Sequence, residues 1–143
     1  MSTSYKEFVQ SVAPVVMQAA TAKTRATVLL AEDDRSLRRY LEIMLQRAGY
    51  TVIVAADGLE ALKAALSSTV DAVVTDAVMP HLSGYELCRF LRRHPKLERL
   101  PVVLLSGVDR PAEPASRADV YLSKPVRAEE LTGCLARLLV QAC

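Results

Sequence analysis

From Val28 onward, short apolar runs alternate with longer segments whose apolar positions recur every three or four residues. The runs are Val28–Ala31, Val52–Ala55, Ala72–Thr75, Val102–Leu105 and a shorter Val120–Leu122. Each lacks the in-out alternation of a half-exposed strand, which is the pattern of a strand covered by helices on both faces. Between the first two, Leu37, Leu41, Met44, Leu45 and Ala48 fall at helical spacing, and Gly49 stands where a C-cap is expected. The same reading predicts helices over about Gly58–Ser67, over Gly84–Arg93 (stopped before His94-Pro95) and over Ala128–Ala142. Strand and helix in strict alternation imply right-handed crossovers, and hence an α/β fold with a doubly wound, five-stranded parallel sheet.

Two stretches fall outside the alternation. Residues 1–26 carry a stripe of Phe8, Val9, Val12, Val15, Val16, Ala19 and Ala20, interrupted by Pro14. They are expected to form a helical extension that packs on the domain's own surface or, through residues 5–22, joins two copies. Between Val108 and Asp119, Pro111 and Pro114 lie three apart, and both cannot sit inside one helix. The helix expected between the fourth and fifth strands is therefore shortened to about one turn after Pro114 or replaced by a loop.

Composition narrows the class. At 143 residues, 51% hydrophobic and 24% charged, the chain suits one globular unit, with residues 27–143 forming the domain. A chain of this length buries roughly two-thirds of its unfolded surface and needs neither metal nor disulfide to fold. The net charge of +2 is far from that of a dedicated nucleic-acid binder. Cys88, Cys134 and Cys143 have no metal-ligand spacing, and a reducing, cytoplasmic setting is the expectation. No apolar run approaches the roughly 18 residues of a membrane span. The stretch Val12–Ala20 is too interrupted by Pro14 and Gln18 to serve as a secretion signal.

The polar residues concentrate where an open α/β sheet places its functional crevice, beyond the carboxyl ends of the strands. Strand one runs into Glu32-Asp33-Asp34, strand three into Asp76, strand four into Ser106 and strand five into Lys124-Pro125. Asp34 is read as the N-cap of the following helix. The other carboxylates repel one another unless a cation is present, and clustered oxygens suit a hard divalent ion such as Mg²⁺. His81 is read as a plain loop residue and His94 as a helix terminus, neither with a charge partner. Arg38, Arg39, Arg89, Arg92 and Arg93 are read as solvated helix faces, the first pair, near the polar mouth, as a candidate docking patch.

These residues resemble the receiver domain of bacterial two-component response regulators, the CheY-like group. The matching pieces are VLLAEDD (28–34), VVTDAVMPHLSGYEL (73–87), VVLLSG (102–107) and VYLSKP (120–125). The resemblance implies a flavodoxin-like strand order of 2-1-3-4-5 and a phosphoacceptor at Asp76. It implies Mg²⁺ held by Asp33 directly, by Glu32 through water, by Asp76 and by the backbone carbonyl of Val78. It makes Ser106 the switch hydroxyl, Lys124 the ammonium that pairs with the phosphoryl group and Tyr121 the switch aromatic, with Pro125 following the lysine through a cis bond. The implied partner is a sensor histidine kinase or a histidine phosphotransfer protein, acting on a signalling phosphoacceptor and not on a true enzyme. The resemblance does not name the downstream effector.

Two departures from the family carry expectations. Lys124 follows Ser106 by only 18 positions, several fewer than usual, which puts a standard output surface in doubt. Val78 and Val108 occupy the positions that influence water access to the acyl phosphate, so self-dephosphorylation is expected to be slow. The 18 residues after Pro125 are used by the last helix, leaving no room for a DNA-binding helix-turn-helix. Two alternatives are a receiver-like interaction module that is never phosphorylated and a phosphatase of the haloacid dehalogenase type. The phosphatase is disfavoured by Val78 standing where a second Asp is usual.

Overall fold

The computed structural model describes residues 25–107 and 116–142. The expectations for residues 1–24, for the stripe at 5–22, for Val108 and for the connection over 108–115 lie outside the described residues.

Five parallel strands form one sheet: β1 (Thr27–Ala31), β2 (Thr51–Ala55), β3 (Ala72–Asp76), β4 (Val102–Ser106) and β5 (Val120–Ser123). Their order is β2-β1-β3-β4-β5, as expected. Among the described residues four helices cover the sheet: α1 (Arg35–Arg47), α2 (Gly58–Ser67), α3 (Gly84–Arg93) and α4 (Ala128–Ala142).

The apolar runs build two cores because successive residues of a strand point to opposite faces. Val28, Leu30, Val74, Val103 and Leu105 pack on one side with Leu41 and Leu45 of α1 and Leu131 and Leu135 of α4. On the other side, Leu29, Ala31, Val73 and Val102 meet Ala61 and Ala65 of α2 and Leu87 and Leu91 of α3. Burying each of these leucines stabilises the fold by about 1.5–3 kcal/mol. The edge strands β2 and β5 are only half covered, so burial on both faces holds for the three central strands.

Helix boundaries follow local chemistry. Asp34 accepts the Leu37 amide at 2.9 Å, which bears out its reading as an N-cap. Ser83 and Glu86 form a capping box at the start of α3. Gly49 follows the C-cap Ala48 with φ of 103°, a left-handed conformation that favours glycine. Just before β5, Arg117 takes φ of 60° and neither it nor Ala118 is helical.

Candidate functional site

Register fixes what meets at the carboxyl end of the sheet. Ala31 pairs with Thr75 and Asp76 with Leu105, so the residues after β1 stand beside the end of β3. Ser106 pairs with Ser123, and the Lys124 amide donates to the Ser106 carbonyl at 2.8 Å. The sheet therefore carries the acidic pair, Asp76, Ser106 and Lys124 to one mouth.

The loop after Asp76 is folded back tightly. A Cβ on Gly84 would fall on the Asp76 carbonyl oxygen, so α3 can start against this backbone only with glycine there. The Gly84 amide also donates to the Ala77 carbonyl at 2.8 Å. Val78 is half exposed at the mouth, and the Lys124–Pro125 bond is cis.

Carboxylate oxygens of Glu32, Asp33 and Asp76 lie within 4.8 Å of one another. Lys124 Nζ sits 2.9 Å from Asp76 Oδ2 and 3.0 Å from Glu32 Oε1. The other Glu32 oxygen accepts the Asp34 amide at 3.1 Å. Glu32 is buried, Asp76 and Ser106 nearly so, while Asp33 is exposed. Burial pushes the Glu32 carboxyl up to about 7; Lys124 and the Asp34 amide offset this in part, and the Asp76 charge adds to it. Burial works against the Lys124 ammonium, but its bonds to Asp76 and Glu32 outweigh that, and its pKa stands above the ordinary value. Three clustered carboxylates, only two of them reached by Lys124, form a donor set short of positive charge, and a hard divalent cation such as Mg²⁺ fits it.

Three side chains read as solvated or unpartnered are not. His81 Nδ1 lies 2.9 Å from Asp57 Oδ2, a carboxylate held below its usual range by the Glu60 amide and then by His81 itself. The chain turns through a positive φ at His81, which brings that loop over the N-terminus of α2. Arg38 donates to the Glu32 carbonyl at 2.8 Å and so braces the acidic turn. Arg92 is almost wholly covered; it donates to the carbonyls of Arg117 at 2.9 Å and Leu100 at 2.7 Å, and to Asp119 Oδ2 at 2.8 Å. Helical periodicity put Arg92 on an outer face, but that face is overlaid by the residues leading into β5. Ser116, which carries no signal in the sequence, is buried with its Oγ 2.9 Å from the Tyr121 hydroxyl. Cys88 and Cys134 are buried free thiols.

A family model described as "Response regulator receiver domain" matches residues 28–136, a span that takes in the five strands, but for Thr27 of β1, and all of the polar mouth. This chain belongs to the response regulator receiver family. Among curated proteins it is similar to response regulator MprA of Mycobacterium ulcerans, at 40% identity over 116 residues, covering 78% of this chain and 49% of that protein. The chain thus spans about half the length of the curated relatives it matches. Among solved structures it is similar to a response regulator from Chloroflexus aurantiacus, with a TM-score of 0.78 and 34% identity, covering 82% of this chain and 99% of that one. It is also similar to the receiver domain of the sensor histidine kinase PA1611 of Pseudomonas aeruginosa, which holds a magnesium ion in its active-site cleft. There the TM-score is 0.75 and the identity 29%, covering 82% of this chain and 99% of that one. The chain is a signalling receiver domain of two-component systems, and neither a phosphatase nor a silent interaction module is favoured. Among the described residues, no helix is long and apolar enough to cross a membrane.

Proposed function

We propose that Asp76 is the phosphoacceptor of this receiver and takes a phosphoryl group from a histidine kinase or a phosphotransfer protein in a Mg²⁺-dependent reaction. The observation that carries this reading is the placement of one nearly buried carboxylate, Asp76, between a lysine at 2.9 Å and two further carboxylates. An Asp76 oxygen attacks phosphorus in line, the new O–P bond forms as the bond to the donor breaks, and the donor keeps the electron pair. Lys124 pairs with the incoming phosphoryl oxygens and holds Asp76 toward the mouth. Glu32, Asp33, Asp76 and the Val78 carbonyl are the residues that would hold Mg²⁺. When bound, the ion neutralises charge on the carboxylates and on the transferring group.

Ser106, at the end of β4, turns its hydroxyl toward the new phosphoryl oxygens, and Tyr121 on the neighbouring strand moves into the space that this opens. The chain promotes its own phosphorylation and the hydrolysis of the acyl phosphate, and no other turnover. Incubation with a small acyl-phosphate donor, with and without Mg²⁺, tests the reading by intact mass. A gain of one phosphoryl group that requires Mg²⁺ and is lost in Asp76→Asn is expected; no gain in the wild type contradicts it.

A further inference from the structure

Tyr121 does not stand alone in front of β5. Its hydroxyl lies 2.9 Å from Ser116 Oγ and accepts the Ala118 amide at 3.3 Å. Both partners belong to the short segment that enters β5, and Ser116 is fully buried. That segment is in turn fixed to α3. Arg92 donates through Nε to the Arg117 carbonyl and through a second nitrogen to Asp119 Oδ2. Asp119 Oδ2 also accepts the Val102 amide at 2.7 Å, which ties the segment to the start of β4. Arg117, between the two anchored positions, adopts a positive φ that is uncommon for a side chain of this kind, so the turn is held by its surroundings.

We infer that Ser116 is a positioning residue of the switch: with the Ala118 amide it holds the Tyr121 hydroxyl in the unphosphorylated state, and Arg92 holds the 116–119 segment so that it can. This rests on the reading of Ser106 and Tyr121 as the switch pair. Tyr121 cannot move toward Ser106 without giving up the bonds to Ser116 and Ala118. Each hydrogen bond given up on that path counts against the switched state. By linkage, the phosphorylated state and the release of Tyr121 favour each other to the same degree.

The test is the affinity of the full chain for beryllium fluoride, a phosphoryl mimic, in Mg²⁺, followed by ¹⁹F NMR or by the Tyr121 ring signals. Ser116→Ala is expected to bind it roughly three- to tenfold more tightly, the factor that one ordinary hydrogen bond supplies. In the Tyr121→Phe background the same substitution is expected to leave the affinity for the mimic unchanged, because the bond to the Tyr121 hydroxyl through which Ser116 acts on the switch is already gone. A purely structural serine would lower the melting temperature in both backgrounds and leave the affinity ratio at one, which overturns the inference. Should Ser116→Ala not fold, Ser116→Cys, nearly isosteric and a weaker hydrogen-bonding group, is expected to shift affinity in the same direction. If the wild type binds the mimic and neither variant shifts it, only this inference falls. If the wild type binds no mimic while Mg²⁺ is present, the phosphoacceptor reading falls and takes the inference with it.

Discussion

Lys124 Nζ lies 2.9 Å from Asp76 Oδ2, and the same ammonium reaches 3.0 Å to Glu32, so one cation serves two carboxylates from different strands. That arrangement leaves the mouth anionic and, in the proposed reaction, gives Lys124 two tasks: holding Asp76 in place and meeting the phosphoryl group. Lys124→Ala is expected to slow Mg²⁺-dependent phosphorylation at least tenfold, a charge-stabilising contribution reduced here by the lysine's partial exposure. Initial rates by intact mass measure it, and a rate equal to wild type would remove Lys124 from the reaction.

The pH dependence of stability follows from Glu32. Its carboxyl is raised to about 7 in the folded protein by burial, so the folded state keeps a proton that the unfolded chain releases above about 4.5. Folded protein therefore binds more protons through that window, and stability falls as pH rises. Without metal, wild type is expected to lose stability relative to Glu32→Gln between these two values and to run parallel to it above them. Denaturant midpoints at a series of pH values report this. A wild-type curve that gains on the variant as pH rises would contradict it.

Gly84 is a packing constraint on the backbone of Asp76, the proposed phosphoacceptor. Gly84→Ala is expected to destabilise the fold by about 1–3 kcal/mol, since a Cβ there meets the Asp76 carbonyl and the backbone must shift. Phosphorylation should slow with it. An unchanged urea midpoint would show that the loop after β3 yields without cost.

On the proposed reading, Val78 bears on the lifetime of the acyl phosphate. Its half-exposed side chain stands at the mouth and offers no hydrogen bond to an attacking water. Val78→Asn supplies one and is expected to shorten the phosphoryl half-life several-fold, read by the loss of phosphoprotein after donor removal. An unchanged half-life would assign slow hydrolysis to another cause.

The sheet was legible because strands buried on both faces leave unbroken apolar runs, as in Val102–Leu105, and Gly49 marked a helix end locally, while the strand order came with the receiver resemblance. The mouth was legible for a related reason: parallel strands deliver their following residues to one end, so Glu32, Asp33, Asp76 and Lys124 had to converge. What escaped the sequence were polar contacts between residues far apart in the chain. Arg92 and Asp119 are 27 positions apart, and His81 and Asp57 are 24 apart. Arg92 sits on the side of α3 that local periodicity assigns to solvent, and only the path of the chain into β5 covers it. The positive φ at Arg117 was invisible because an arginine gives no hint of a turn that glycine usually marks. A lone aspartate directly before β5 was the one available signal for the Arg92 anchor.

The most direct test of the phosphoacceptor assignment is to locate the modified residue. Reduction of the phosphorylated chain with borohydride cleaves the acyl phosphate and converts that aspartate to homoserine, which peptide mass mapping then places. Homoserine at position 76, formed only after incubation with both donor and Mg²⁺, is the predicted result. Homoserine at position 33 or 34 instead, or none at any position in a chain that has gained phosphoryl mass, would contradict it.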